Sequence, residues 1–262
     1  MEDEDEGWAG AVTAFGELVL GTSCVVCGGP ARAICRVCRI LLVPDPWPVD
    51  DLVVAARPYD EATARLVVAW KERGWWALTP DVGLLLAAAV TTALDTGGGA
   101  GPWAADGQGG GAGPWAADGQ GGGAGPLAAN NTTVDLVPVP TSRRNRRRRG
   151  RDHALVLARA AAAALGDHGV DARAVRALRL RRQTRDQASL PAARRRRNVA
   201  GAFAVRRARR SGAPVVLVDD VTTTGATLAA ARRALEAGGV PVAAVAVVAA
   251  VPGADGPRTT GR

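Results

Sequence analysis

The sequence has 262 residues, enough for one medium domain with an appendage or for two small domains. Its hydrophobic content of 47% permits a packed core, and the net charge of +8 indicates either an anionic partner or an arginine-rich solvated surface. Of the 33 basic residues, 22 lie between Arg143 and Arg210, and Lys71 is the only lysine. The acidic start MEDEDEGWAG lacks the basic start and apolar run of a secretory signal. The longest apolar run, 240–251, is too short to span a bilayer, so we expect a cytoplasmic protein without a membrane span.

Four cysteines follow an acidic segment at residues 1–20, within the stretch CVVCGGPARAICRVC. They are Cys24, Cys27, Cys35 and Cys38. As two C-x-x-C pairs they supply the four thiolates of a closed tetrahedral Zn²⁺ site. A redox pair or two disulfides are the alternatives, although disulfides are rare in cytosolic proteins and clustered cysteines favour a metal. We therefore predict a zinc-ribbon-like element at 21–45 with structural Zn²⁺, overlapping a proline-rich linker at 44–48.

Apolar spacing predicts helices through most of residues 60–95, with Gly74 as the stop of the first one. The segment GGGAGPWAADGQ then occurs twice, at 97–108 and 109–120, and a shortened copy follows. A glycine-rich period of this length cannot bury enough surface to offset its ordering entropy. We expect the insert at 96–131 to be a disordered surface loop, with a tract that binds through its tryptophans as the alternative.

Beyond the insert, strands and helices alternate, which favours a parallel sheet with helices on both faces. The segment VDLVPVP at 134–140 predicts a strand, and ALVLARAAAAALGDHG predicts a helix after it. The closing unit predicts, in order, a strand at 215–218, a loop at 219–225, a helix at 226–237 and a strand at 242–251. We therefore predict an α/β domain at 50–252, interrupted by the insert and followed by a tail at 253–262.

The most informative stretch is VVLVDDVTTTGATL at 215–228, where an apolar strand runs into two adjacent carboxylates. In open α/β sheets, ligands bind beyond the carboxyl ends of the strands, which is where Asp219 and Asp220 are expected. Two neighbouring carboxylates can hold a hydrated Mg²⁺ or accept hydrogen bonds from a pair of sugar hydroxyls. The loop after them leads into a helix N-terminus, whose N–H groups favour a phosphate. Carboxylates that can bind a sugar diol, next to a loop that can hold a phosphate, point to a phosphorylated ribose.

This stretch resembles the motif with which type I phosphoribosyltransferases bind 5-phosphoribosyl 1-pyrophosphate (PRPP). The resemblance implies a type I phosphoribosyltransferase fold, with Asp219 and Asp220 as the catalytic acids that bind the ribose and Mg²⁺. It also implies that PRPP contacts the loop residues Thr222, Thr223, Thr224, Gly225, Ala226 and Thr227. A buried strand before a generic capped helix would leave the paired acids unexplained, and a Walker B strand would need a P-loop upstream. Type I enzymes acting on 6-oxopurines commonly carry an acid where Thr223 stands, so the resemblance argues against purine salvage.

The chain as a whole resembles the ComF family, which is phosphoribosyltransferase-like and linked to DNA uptake in competent bacteria. The resemblance is carried, in chain order, by the cysteine pairs, WKERG, VPVPTSRRNRRRRGRDHA, TRDQASLPAARRRRNVAGAF and the PRPP motif. It implies that the arginine-rich segment after Pro140 handles pyrophosphate. The candidates for the pyrophosphate side are Arg143, Arg144, Arg149, Gly150 and Lys71. The family pattern Arg-Gly-Phe-Asn-Gln-Ala stands here as RGRDHA, so the detailed role of this loop departs from the family.

Two functions follow from these expectations. The first is an enzyme, a pentosyltransferase that moves phosphoribose from PRPP to an unidentified acceptor, or a protein that only binds PRPP or another phosphorylated ribose. The second is a non-catalytic accessory protein that binds single-stranded or double-stranded DNA through the arginine clusters and the zinc element. Only Phe203 is aromatic between Arg143 and Arg210, which argues against base stacking. The resemblance further implies protein partners in a DNA-uptake system. His153, in the arginine-rich loop, is a weak ligand candidate.

Overall fold

The computed structural model of the chain describes residues 23–96, 133–141, 150–181, 201–206 and 212–252. The helices in these residues are α1 (Arg36–Leu41), α2 (Glu61–Lys71), α3 (Thr79–Thr96), α4 (His153–Asp167) and α5 (Ala226–Ala237), with a 3₁₀ turn at Trp76–Leu78. The strands are β1 (Trp47–Pro48), β2 (Val53–Pro58), β3 (Val134–Pro138), β4 (Ala172–Ala174), β5 (Leu178–Leu180), β6 (Phe203–Val205), β7 (Val215–Thr222) and β8 (Ala244–Ala250).

Six of the strands form one sheet in the order β1-β2-β8-β7-β3-β4. The strands from β2 to β4 are parallel, and β1 runs antiparallel to β2 at the edge. Helix α4 connects β3 to β4, and α5 connects β7 to β8. Because β7 and β3 are neighbours, the two connections run toward opposite ends of the sheet, and the strand order reverses between β7 and β3. Ligands of open α/β sheets bind at such a reversal. The predicted α/β class, with a mostly parallel sheet flanked by helices, is confirmed.

The sheet separates two apolar cores. One lies under α2, α3 and α4 and takes Val216 and Val218 of β7. The other lies under α5 and the antiparallel β5–β6 hairpin and takes Val215 and Leu217. This alternation is what a strand buried on both faces requires. Strand β8 is likewise buried at all of its positions, as expected for the apolar run that contains it.

Local signals in the sequence fix the ends of the helices. Asp60 caps α2, since its carboxylate accepts the Thr63 N–H at 2.8 Å. Glu61 and Arg65 form an ion pair one turn apart on the same helix. Gly74 has a φ of 72°, a left-handed conformation that suits glycine and confirms it as the stop predicted after α2. Helix α5 spans the residues predicted for it.

Two segments differ from the expectation drawn from the sequence. Strand β7 does not end before the acids but continues through Asp219 and Asp220 to Thr222, where it still pairs with β8. Part of the proline-rich segment expected to be a linker forms β1, in which Trp47 pairs with Ala55. The insert predicted at 96–131 lies outside the described residues except for the end of α3, as do the acidic start and the tail.

The segment Trp76–Asp95, which contains all of α3 except its last residue, is long and apolar enough to cross a membrane by length and composition alone. Most of it is buried inside the protein, against β2, β8 and α4. Gly83 of α3 permits the close approach to α4, because a Cβ there would lie 2.6 Å from the Ala160 Cβ. A helix packed in this way is typical of the core of a soluble α/β protein.

Candidate ligand site and metal centre

The acid pair, Asp219 and Asp220, lies near the carboxyl end of β7, next to β3 and β8. Asp220 is 7% exposed, and Asp219 is partly exposed. Each carboxylate is oriented by a local hydrogen bond: the Asp220 N–H donates to Asp219 Oδ1 at 2.9 Å, and the Val221 N–H donates to Asp220 Oδ1 at 2.9 Å. The structure therefore places two fixed carboxylates at the edge where the fold predicts a ligand.

Lys71 reaches this acid pair from α2, and its Nζ forms an ion pair with Asp220 Oδ2. The helix begins just after the carboxyl end of β2 and ends at β7, so it crosses the carboxyl edge of the sheet. The sequence singled out Lys71 as the only lysine and as a candidate for the pyrophosphate side, but it gave no sign of a contact with Asp220. The structure thus joins two candidates that lie 149 positions apart.

The environment of Asp219 opposes its ionisation. Although Asp219 is partly exposed, the burial of its carboxyl group raises its pKa well above the ordinary value, and the neighbouring charge of Asp220 raises that pKa further. The Asp220 N–H and the Lys71 ammonium act in the opposite direction on the same pKa, but they do not cancel the increase. A cation or a set of hydroxyl donors at this carboxylate would relieve the unfavourable charge.

The loop after the acid pair turns sharply into α5. The Gly225 N–H donates to Thr222 Oγ1 at 3.2 Å, and Gly225 itself has a left-handed φ of 67°. A Cβ at Gly225 would meet no atom within 4 Å, so the space above the turn is open. The first N–H groups of a helix have no carbonyl partner within it, and here they follow a turn in which Thr223 and Thr224 are exposed. An anion could approach this end of α5 directly.

An aromatic cluster fixes the end of α2 that carries Lys71. Trp70 is 1% exposed, and its Nε1–H donates to Thr79 Oγ1 at 3.1 Å. Its ring meets Trp76 edge-on at 6.4 Å and His153 at 5.5 Å between centroids. His153, a weak ligand candidate in the sequence, is buried in this cluster at the start of α4. The cluster therefore positions α2 against α4 next to the acid pair.

The other candidates for the pyrophosphate side are only partly described. Gly150 is exposed, with a φ of 71°, and Arg151 stacks over Trp76 at 5.0 Å from the ring centroid. Three further candidates, Arg143, Arg144 and Arg149, lie outside the described residues.

The cysteine cluster is formed by Cys24, Cys27, Cys35 and Cys38, whose sulfur atoms all lie within 4.8 Å of one another. The Cys27 and Cys35 sulfur atoms lie 3.7 Å apart. Tetrahedral thiolates about 2.3 Å from a zinc ion lie about 3.8 Å apart, so this spacing fits such a site. The Gly29 N–H and the Cys38 N–H donate to the Cys27 and Cys35 sulfurs at 3.4 Å. The cluster could hold a metal ion, and its donors are consistent with structural zinc.

The four thiols do not share one environment. For Cys24, burial raises the pKa, but hydrogen bonds from nearby backbone N–H groups outweigh this and lower it to about 6. For Cys38, burial raises the pKa, and hydrogen bonds with the other three thiols raise it further. Without a cation, burial and contact with the other thiols therefore oppose ionisation of Cys38. A metal ion would have to displace protons from the cluster.

The segment that carries the cysteine cluster packs into the main core. Cys24 and Cys38 belong to the same apolar core as α2 and α3. Arg65 of α2 donates to the Val26 carbonyl at 2.5 Å, and Arg39 pairs with Asp81 of α3 at 3.2 Å. Folding of the cysteine segment therefore affects the packing of both α2 and α3.

A second polar feature is a groove of about 560 Å³ between the β5–β6 hairpin and α5. Its apolar floor includes Phe203 and Ala234. The arginine groove is named for Arg179, Arg181 and Arg233, which are exposed at its walls. Within the described part of the chain none of the three forms an ion pair with an acid. The groove therefore concentrates uncompensated positive charge.

A scan against protein-family models finds no match to this chain, and a search of curated proteins finds no significant similarity. The fold and its sites define an α/β protein with a mostly parallel sheet. The chain also has an acid pair beside an open helix N-terminus, and a cysteine cluster that could hold a metal ion.

Proposed function

We propose that this chain is a ComF-like phosphoribosyltransferase that binds PRPP with Mg²⁺ at the carboxyl edge of its sheet. The observation that carries the proposal is the acid pair followed, after one short loop, by the open start of α5. Carboxylates suit the ribose diol, and the helix start suits the 5-phosphate. The type I phosphoribosyltransferase fold belongs to the same proposal, and the sheet reversal between β7 and β3 supports it.

The donor set at the acid pair fits Mg²⁺. Magnesium prefers hard oxygen ligands, keeps several waters and commonly binds through one or two carboxylates together with phosphates of the substrate. Asp219 and Asp220 supply carboxylates that backbone N–H groups already orient. Magnesium would neutralise charge on the pyrophosphate, while the chain's own residues hold the sugar.

The protein residues act by binding and orientation rather than by covalent chemistry. In the proposed reaction the bond from C1 to the pyrophosphate oxygen breaks, a bond from C1 to the acceptor forms, and the acceptor loses a proton. The acid pair would accept hydrogen bonds from the ribose hydroxyls, and residues 222–227 would hold the 5-phosphate. Arg151, held over Trp76 at the start of α4, is the described arginine nearest in sequence to the predicted pyrophosphate segment.

The cysteine cluster holds structural Zn²⁺ in this proposal, since four thiolates at tetrahedral spacing leave no open position for a substrate. Such a cluster stabilises the fold next to Arg65, six residues before Lys71 on α2. By the resemblance to the ComF family, the protein would act in the cytoplasm with protein partners of a DNA-uptake system.

Titration calorimetry tests the proposal directly. PRPP titrated into the zinc-loaded protein should bind with one site per chain in the presence of Mg²⁺ and much more weakly without it. In the variant Asp219→Asn/Asp220→Asn we expect affinity to fall at least about a hundredfold, because two charge-assisted hydrogen bonds and a metal ligand are lost.

Asp167→Asn is the matched control, since Asp167 is an exposed acid at the last residue of α4, at the other end of that helix from His153. That variant should keep the affinity of the unmodified protein. A folded, unmodified protein that does not bind PRPP with Mg²⁺ contradicts the proposal.

The second candidate function is nucleic-acid binding, and the arginine groove is the observation that favours it. Phosphate contacts by arginine make binding steeply dependent on salt. If single-stranded or double-stranded DNA lies in the groove, Arg233→Gln should weaken binding to all sequences and reduce the salt slope by about 1. Fluorescence anisotropy over a range of salt concentrations measures that slope.

Arg232→Gln controls for charge on the same helix, because Arg232 is already paired with Glu236 at 3.6 Å. Equal slopes for the two variants would exclude the groove as the binding surface.

A further inference from the structure

The contact between Lys71 and Asp220 leaves the acid pair incompletely neutralised. Asp220 Oδ1 accepts the Val221 N–H, and Oδ2 faces the Lys71 ammonium, so both oxygens of this carboxylate are engaged. Lys71 supplies one positive charge where two carboxylates lie side by side. A divalent cation at the acid pair would compete with the ammonium for Asp220.

We infer that Lys71 is a displaceable counter-ion that holds the cation position at Asp219 and Asp220 until a ligand carrying its own metal arrives. This inference rests on the proposed function for the identity of the ligand, but not for the competition between ammonium and metal. It assigns Lys71 a role at the acid pair itself.

Displacement needs only a rotation of the lysine side chain. Trp70, the residue before Lys71, is buried and held by Thr79 and by the rings of Trp76 and His153, so the backbone at the end of α2 is fixed. The Lys71 side chain is 29% exposed and has a flexible four-carbon stem. The ammonium can therefore leave Asp220 while α2 stays in place.

The position of the Lys71–Asp220 ion pair distinguishes it from an ion pair that only stabilises the fold. Lys71 lies at the open carboxyl edge, on the same side as the exposed residues Thr223 and Thr224. The Arg173–Asp135 pair, by contrast, joins neighbouring strands β4 and β3, with Asp135 buried within the sheet. A counter-ion at the carboxyl edge can exchange with a ligand that binds there, whereas the Arg173–Asp135 pair lies near the amino end of β3, away from that edge.

The consequence is selectivity for a metal that arrives with its ligand. A metal ion alone must overcome the repulsion of the ammonium, so the unmodified protein should bind it weakly. When a polyphosphate accompanies the metal, the displaced ammonium gains phosphate oxygens as new partners. Lys71 therefore weakens the binding of a bare metal ion to the acid pair and strengthens the binding of a metal ion that arrives with a phosphorylated ribose.

Binding of Mn²⁺ alone tests the counter-ion role, with the loss of the free-ion electron paramagnetic resonance signal as the readout. The full-length, zinc-loaded protein is compared with Lys71→Met, which keeps the length of the side chain and removes its charge. We expect Lys71→Met to bind Mn²⁺ at least about tenfold more tightly, since one unit charge a few ångströms away is removed. Lys71→Arg should bind as weakly as the unmodified protein.

A double variant, Lys71→Met/Asp220→Asn, shows where the metal binds and should lose the gain. Circular dichroism on each variant confirms that it is folded. An unchanged Mn²⁺ affinity in folded Lys71→Met, or a gain that persists in the double variant, overturns the inference.

Titration of PRPP with Mg²⁺ into the same proteins separates this inference from the proposed function. Tight PRPP binding by the unmodified protein, with no gain of Mn²⁺ affinity in Lys71→Met, overturns the counter-ion and leaves the proposed function standing. A tenfold gain of Mn²⁺ affinity in a protein that does not bind PRPP supports the counter-ion and contradicts the proposed ligand.

Discussion

Replacing Cys38 by serine is expected to destabilise the whole α/β domain, not only the segment around the cysteines. Cys38 is 2% exposed and belongs to the core that α2 and α3 share. Serine keeps the size of the side chain but cannot serve as a thiolate ligand, so the zinc site in our proposal loses one of its four ligands. We expect a loss of at least about 3 kcal/mol in the free energy of unfolding, in the range for the loss of a metal site. Urea denaturation followed by tryptophan fluorescence measures this loss.

Val37→Ser is the control, because Val37 precedes Cys38 on the same helix and is 66% exposed. A surface substitution of this kind changes stability by no more than about 0.5 kcal/mol. A chelator should lower the midpoint of the unmodified protein toward that of Cys38→Ser and should leave that variant unchanged. Equal stabilities for the two serine variants would show that the cysteine cluster does not hold a metal that supports the core.

The parts of the fold that the sequence predicts are those set by local periodicity and by glycine. Helix α5 has its predicted bounds because Gly225 and Gly238 flank an unbroken helical pattern. Strand β8 follows from an apolar run that the sheet buries on both faces. These signals lie within about a dozen residues, so no tertiary contact is needed to detect them.

The carboxyl end of β7 was predicted incorrectly because side-chain polarity does not decide where a ladder ends. Two carboxylates after an apolar run indicate a loop by pattern. The backbone of Asp219 and Thr222 nevertheless pairs with Val247 and Ala250 of β8, since the ladder uses only main-chain groups. The acids are therefore held more firmly than a loop would hold them, which suits a site that must be oriented in advance.

The contact of Lys71 with Asp220 and the place of the cysteine cluster in the core depend on packing between distant segments. Nothing near Lys71 in the sequence specifies β7 as its neighbour, because α2 is positioned by Trp70 against Trp76 and His153. Candidate residues could be chosen from local motifs. Their arrangement, in which α2 connects the cysteine cluster to the acid pair, became visible only in the structure.

Asp219→Asn is expected to raise the stability of the protein while it abolishes ligand binding. Burial and the charge of Asp220 raise the pKa of Asp219 in the folded protein. Above the ordinary aspartate pKa of about 3.9, Asp219 is ionised in the unfolded chain, whereas Asp219 in the folded protein keeps its proton more readily. The folded state therefore binds more protons, and the contribution of Asp219 to stability falls as the pH rises toward its raised pKa. Asparagine has no proton to lose and can still accept the Asp220 N–H.

Urea denaturation of the unmodified protein and of Asp219→Asn, at about pH 5.5 and about pH 8, measures the effect. The variant should unfold at higher urea, and its advantage should not shrink as the pH rises through this range. Asp220→Asn relieves the same repulsion but breaks the ion pair with Lys71, so it should stabilise the protein less. A destabilised Asp219→Asn would show that the carboxylate supports the fold. Greater stability together with lost PRPP binding would show that Asp219 is kept for its ligand at the expense of stability.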